Sequence, residues 1–197
     1  MAREVEIKFI VADVKVLVRR LRASGFRLIT RRSHEMNVLY DLPGHPLRQR
    51  GEILRLRNYD GRWTLTHKSK GTAQRHKSRQ ETEAAVADGH GLHNILLALG
   101  FAPSFRYEKF RSEWTDSHGH VVIDETPIGT VAEIEGRPRW IDVTAKLLDV
   151  PRSRYITLSY GDMFEAWKRR TGSQADEMTF AAVAGRKRNL APRRRVS

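Results

Sequence analysis

The 197-residue sequence contains no cysteine, which excludes disulfide stapling and thiolate zinc sites and suits a reducing cytoplasm. No apolar run approaches the ~18 residues a membrane helix needs, and the first residues carry charge where a signal peptide would be oily. A soluble, cytosolic protein without membrane contact is expected. Neither G-x-x-x-x-G-K nor G-x-G-x-x-G occurs, so no glycine loop offers its backbone amides to a phosphate. Side chains would have to grip any phosphate instead.

Charge is abundant. Lysine and arginine number 36 against 23 aspartate and glutamate, a net charge of +13, which points to an anionic partner. Arg186, Lys187, Arg188, Arg193, Arg194 and Arg195 crowd the last twelve residues and leave about +7 on the rest. The length suits one sizeable domain with a proper core.

The charges are also spaced by two. Glu4, Glu6 and Lys8 alternate with Val5, Ile7 and Phe9, so a strand here sends charge to one face and apolar groups to the other. The spacing returns at Arg55/Arg57, Lys68/Lys70, Arg79/Glu81/Glu83, Lys109/Arg111/Glu113 and Glu133/Glu135, with Asp124 between the last two. A single strand of this kind could be a sandwich edge with its charges in water. Repeated along the chain, the pattern predicts a sheet that closes on a polar lumen.

Between these strands, Asp13 caps an expected helix whose Val14, Leu17, Val18 and Leu21 fall at helical spacing, ended by Ser24-Gly25. Residues 26–41 read as one long strand or a bent pair, residues 42–46 as a turn, and 47–51 as a short link. Asp60-Gly61 is a two-residue turn signal joining strands 52–59 and 62–70. A basic, flexible loop over 71–78 precedes a strand over 79–86. Further helices are expected near 91–99, 138–150 and 160–170, with strands over 101–115, 120–125 and 129–136. From Ser173 the periodicity fades, so residues 173–197 are expected to be a mobile basic extension behind a domain of residues 1–172, its arginines read as solvated, with contact to nucleic acid or another polyanion the alternative. His90/His93 and His118/His120 lie in Gly-flanked stretches and read as solvated loop histidines.

Glu4, Glu6, Asp124, Glu133 and Glu135, brought together, would form a like-charge cluster that needs a cation. Hard oxygen ligands favour magnesium or manganese. Lys8, Arg55, Arg57, Lys68, Lys70, Lys109 and Arg111 are too many for one carboxylate substrate. A linear triphosphate, with about four negative charges near neutral pH, matches them better.

Glu4-Val-Glu-Ile-Lys8 resembles the E-x-E-x-K signature of the CYTH family, the triphosphate tunnel metalloenzymes that include class IV adenylate cyclases, thiamine triphosphatases and inorganic triphosphatases. Leu54-Arg-Leu-Arg57, Leu65-Thr-His-Lys68, Arg79-Gln-Glu-Thr-Glu83, Tyr107-Glu-Lys-Phe-Arg111, Ile123-Asp-Glu-Thr-Pro-Ile-Gly129, Glu133-Ile-Glu-Gly136 and Leu158-Ser-Tyr160 follow in family order. The resemblance spans about residues 2 to 170. It implies an α+β fold dominated by an eight-stranded antiparallel β-barrel, an open tunnel with helices outside. By position it implies metal ligands at Glu4, Glu6, Asp124, Glu133 and Glu135, of which Glu4, Glu6 and Glu133 with Lys8 are the catalytic candidates. Triphosphate ligands follow at Lys8, Arg55, Arg57, Lys68 and Arg111, then Lys70, Arg79 and Lys109. Glu81 and Glu83 point inward and balance the basic walls or reach a second metal. The family also makes a homodimer a reasonable expectation.

The expected activity is metal-dependent triphosphate hydrolysis. Its alternative is an adenylate cyclase, which would use the same ligands; no His-Phe dipeptide precedes E-x-E-x-K, as it does in the enterobacterial type, which weighs against cyclisation. A third reading, a non-catalytic polyanion or RNA binder, gives five converging carboxylates no role. Trp63, Trp114 and Trp140 are the residues that a thiamine ring would call for at a tunnel mouth.

Overall fold

Eight antiparallel strands close on themselves. The computed structural model describes residues 2–185. Its ring comprises β1 (Ala2–Ile10), β2 (Arg27–Asp41), β3 (Ile53–Tyr59), β4 (Arg62–Lys68), β6 (Lys77–Val86), β7 (Ala102–Thr115), β8 (His120–Thr126) and β9 (Gly129–Glu135). The two-residue strand β5 (Thr72–Ala73) hangs on β6. The order is β1-β9-β8-β7-β2-β3-β4-β6, and β6 pairs back onto β1. At that seam Glu4 faces Arg79 and Glu6 faces Lys77, so opposite charges meet where the ring closes.

The apolar core lies outside the barrel. Helix α1 (Val14–Ala23), capped by Asp13 on the amides of Lys15 and Val16, and α4 (Pro138–Leu147) press Leu17, Leu21, Ile141 and Ala145 onto Ile7, Phe9, Ile123 and Ile134 of the outward strand faces. Helix α3 (Gly89–Ala98) covers Tyr40 and Leu56 with Leu96. Each large aliphatic side chain taken fully out of water stabilises by roughly 1.5–3 kcal/mol. The fold is therefore held from outside, which frees the lumen to be polar.

Helix α5 (Tyr160–Thr171) begins with a capping box between Ser159 and Asp162. Its Tyr160 and Phe164 cluster with Leu39, Phe105, Tyr107 and Val131, so one end of the barrel is partly stoppered by apolar groups and is not a freely open bore.

Three local expectations change. Residues 47–51 are largely a short helix, α2 (Pro46–Arg50), because the Asp41 carboxylate accepts from the amides of Leu47 and Arg48 and satisfies its first turn from outside the segment. Strand β6 starts at Lys77, inside the stretch read as a loop, because β1 supplies a partner there. Residues 173–185, expected to be mobile, are docked: Met178 is fully buried, its amide bonds Arg106 O at 3.0 Å, and its carbonyl accepts from Glu108 N at 3.1 Å. The free edge of β7 and the apolar cluster under α5 capture this segment, which ends in α6 (Phe180–Ala184). The arginines at 186–195 lie outside the described residues.

Candidate active site

Inside the ring, strand pleating gathers eight cations, Lys8, Arg55, Arg57, Lys68, Lys77, Arg79, Lys109 and Arg111, against eight carboxylates, Glu4, Glu6, Glu35, Glu81, Glu83, Asp124, Glu133 and Glu135. All but Glu35 and Asp124 border a cavity of about 1010 Å³. The inward charge is balanced, so the chain's +13 is carried elsewhere and is not what marks the site.

Each sign is threaded through the other. Lys8 Nζ lies 2.6 Å from Glu6 Oε1 and 3.1 Å from Glu133 Oε1. Lys68 Nζ contacts Glu4 at 2.8 Å and Glu81 at 2.9 Å, and Arg79 Nε donates to the other Glu4 oxygen at 2.9 Å. Arg57 reaches Glu83 at 3.3 Å, and Arg55 donates to Thr66 Oγ1 at 3.3 Å. Arg111 donates to Asp124 through Nε (2.7 Å) and to Glu133 at 2.8 Å.

Burial opposes ionisation of Glu4, but the Lys68 and Arg79 charges overcome it and hold its carboxyl down to about 2. Burial likewise acts first on Glu133, and Lys8, Arg111 and Lys109 override it, leaving it well below the usual range. Glu135 behaves oppositely. At the cavity mouth, loss of hydration and then Glu4, Glu133 and Glu6 push it up to about 7. Glu135 has side-chain exposure to solvent, which screens part of this. Lys77 is pushed down to about 8 by desolvation, then by Lys8 and Arg79.

Of the residues expected to line a site, Glu4, Glu6, Lys8, Arg55, Arg57, Lys68, Arg79, Lys109, Arg111, Glu133 and Glu135 all border the cavity. Two do not. Lys70 follows the end of β4 and is exposed, its stem lying against Gly51, because the alternation that aimed it inward stops at Lys68. Asp124 is fully buried behind the wall, where its oxygens accept from Lys109, Arg111 and the Tyr160 hydroxyl. Its lone pairs are committed to these donors, which sets it apart from the other four carboxylates.

Two groups, Glu35 and Lys77, escaped the sequence reading, and Tyr160 entered it only as the end of a motif with no role at the site. Glu35 is fully buried, 3.4 Å from Lys109 Nζ and 3.7 Å from Arg111 Nε, and takes a hydrogen bond from Asn37 Nδ2. Burial acts first on its carboxyl too, and Lys109, Arg111, Arg55 and Arg57 hold it to about 2. The Glu35/Asn37 alternation within β2 carried the signal. Tyr160 puts its hydroxyl on Asp124 and its ring beneath the ammonium of Lys109, 4.6 Å from the centroid. Lys77 was hidden by the misplaced start of β6.

The donor set fits a hard divalent cation. Glu4, Glu6, Glu133 and Glu135 offer only carboxylate oxygens, and Glu6 Oε1 is buried with no directed hydrogen bond despite its charge contact with Lys8. Among the described residues no three His, Asp or Glu side chains already stand in ligating arrangement, and Glu4, Glu6 and Glu133 are each drawn toward a cation. The histidine pairs stay out of the site. His90 packs edge-on to Trp63, and His93 Nδ1 bonds the Tyr40 hydroxyl, both from α3 and not from a loop. Trp63, Trp114 and Trp140 pack outside the barrel, under α3 or in the outer core.

A protein of Methanocaldococcus jannaschii, described as a candidate adenylate cyclase, is 27% identical over 147 residues, which span 74% of this chain and 83% of that protein. Among solved structures, a Vibrio parahaemolyticus protein described in the same terms has a TM-score of 0.74 at 18% identity, covering 82% of this chain and 97% of that one. A candidate adenylyl cyclase from Hippeastrum, described as having a dominant triphosphatase activity, has a TM-score of 0.61 at 18% identity over 83% and 95% of the two chains. These structural likenesses extend to the fold. Residues 2–137, more than half of the sequence, match the CYTH domain, and the chain belongs to the CYTH domain family.

Proposed function

We propose that the protein is a divalent-metal-dependent hydrolase of triphosphate compounds, with inorganic triphosphate the simplest of them. The observation that carries this reading is the charge-balanced lumen, in which cations are held against carboxylates and apolar groups are confined to one end. A plain polyanion binder needs only the cations, and the carboxylates would repel its ligand. A ligand that brings both signs suits both sets: phosphoryl oxygens take the ammonium and guanidinium groups, and a divalent cation takes the carboxylates so released.

In this reading Lys8, Arg55, Arg57, Lys68, Arg79, Lys109 and Arg111 hold the phosphates, with Arg forks suited to paired oxygens and Lys to single ones. Glu4, Glu6, Glu133 and Glu135 would hold magnesium or manganese. When bound, the metal neutralises phosphate charge and polarises the bond to the leaving group. Asp124 and Glu35 act one layer back and fix the heads of Lys109 and Arg111. Arg55, Arg57 and Arg111 stabilise the charge that builds on the departing diphosphate.

The dominant triphosphatase activity described for the Hippeastrum protein supports hydrolysis. The names of the Methanocaldococcus and Vibrio proteins favour a second reading, in which the 3′-hydroxyl of ATP attacks the α-phosphorus and releases pyrophosphate. The tryptophans offer a thiamine ring no stacking surface, since they pack outside the barrel, and the aromatic rings that border the cavity are those of Tyr40, Phe105, Tyr107 and Tyr160. Incubation with tripolyphosphate and with ATP, in magnesium or manganese and again in EDTA, separates the readings. Orthophosphate from tripolyphosphate, abolished by EDTA, is expected. Cyclic AMP would establish the second reading, and metal-independent turnover would contradict the metal half of the first.

The raised Glu135 carboxyl gives a pH signature. Between the ordinary glutamate range and about 7, the folded metal-free protein holds a proton that the unfolded chain releases, so this group's contribution to stability falls as pH rises through that window. Above it, the charged Glu135 adds like-charge strain that a divalent cation relieves. Magnesium should raise the melting temperature more at pH 8 than at pH 6. Equal shifts at both pH values would remove Glu135 from the metal site.

A further inference from the structure

Lys77 stands apart from the other inward cations. Each of the remaining seven makes at least one hydrogen bond or ion contact at or below 3.3 Å. The ammonium of Lys77 has its closest carboxylate oxygen, Glu6 Oε1, at 4.0 Å, beyond hydrogen-bond reach. Yet the side chain is only 12% exposed and borders the cavity. A cation partly withdrawn from water without gaining a bonded anion is less well stabilised than its paired neighbours.

Its placement is fixed by the backbone. Pairing sets Lys77 opposite Glu6 on one side of β1, while Glu135 lies opposite Glu6 on the other, so the three form one row across β6, β1 and β9. Arg79 is two residues on, along the same inward face of β6. Six of the other seven cations must release a carboxylate held at or below 3.3 Å before they can take a phosphate, and Arg55, whose nearest carboxylate oxygens lie at 3.9 Å, must give up the Thr66 hydroxyl. Lys77 need not.

We propose that Lys77 is a substrate-binding residue for the triphosphate, its ammonium held in reserve for a phosphoryl oxygen at the row of Glu6 and Glu135. This rests on the triphosphate reading above and adds to it a ligand that the sequence motifs do not include. Because the ammonium has no anion to exchange, its bond to phosphate is gained with little offset. A charge-assisted contact of this kind corresponds to roughly a 10- to 100-fold change in affinity.

The test is calorimetric titration of tripolyphosphate into the full chain in magnesium, alongside hydrolysis rates, for the native protein, Lys77→Met, Lys77→Arg and Lys70→Met. Lys77→Met preserves the stem and removes the charge; a Kd raised at least tenfold is expected, with Lys77→Arg within about threefold of native and exposed Lys70→Met unchanged. The pair matters because Lys77→Arg retains the proposed contact whatever the local packing does. A Lys77→Met protein that binds within twofold of native, while the native protein binds and hydrolyses, overturns this inference alone. Equal loss in Lys77→Met and Lys77→Arg also overturns it, since the charge would not be the cause. A native chain that neither binds nor cleaves tripolyphosphate overturns the triphosphate reading, and this inference with it.

Discussion

Glu133→Gln is expected to lower tripolyphosphate turnover by at least about 10²-fold, the scale on which one preorganised electrostatic group acts in a water-poor site. Glu133 sits where the two inward sets cross: one oxygen faces Lys8 at 3.1 Å and the other accepts from Arg111 at 2.8 Å. It is 7% exposed, and three cations hold it ionised. The amide keeps the shape and loses the charge. It would therefore bind a divalent cation weakly, and it would free Lys8 and Arg111 to grip phosphate in an unproductive balance. Tripolyphosphate affinity should hold or improve while turnover collapses, and magnesium titration should show a metal affinity weakened at least about tenfold. A variant that turns over within threefold of native would show that Glu133 is a structural counter-ion only.

Asp124→Asn is expected to act on stability more than on binding. Asp124 is fully buried and accepts from Lys109 Nζ at 2.9 Å, Arg111 Nε at 2.7 Å and the Tyr160 hydroxyl that opens α5. An asparagine has one acceptor oxygen for these donors and no charge for two buried cations. Removing one partner of such a buried network costs about 3–5 kcal/mol. For a chain of this size that is roughly a 10 °C fall in melting temperature. Glu35 and Glu133 remain beside Arg111, which keeps the loss near the lower end. An unchanged melting temperature together with lost metal binding would reverse the assignment and return Asp124 to the metal ligands.

The contrast between these carboxylates explains how far the sequence could be read. Glu4, Glu6, Glu133 and Glu135 were placed inward by alternation alone, because a strand has two faces and the apolar partners Val5, Ile7 and Ile134 occupy the other. Asp124 obeys the same alternation, but how deep an inward residue lies depends on neighbours in β7 and on Tyr160 of α5. Lys70 was misplaced because alternation holds only while a strand lasts, and β4 ends at Lys68. Lys77 and Met178 were missed because each is ordered by a partner distant in sequence: β1 for the first, the free edge of β7 for the second.

By itself the sequence determined the inside-out character of this barrel, since charge and grease segregate with a period of two and the hairpin turn at Asp60-Gly61 is written in residues that accept positive φ. Only the tertiary structure decided how the charges are matched. Periodicity is a local property that assigns a face, whereas ion pairing depends on register and distance between strands far apart in the chain. That is why Glu4 is held near 2 and Glu135 near 7 on adjoining walls, and why one lysine among the inward cations lacks a close anion.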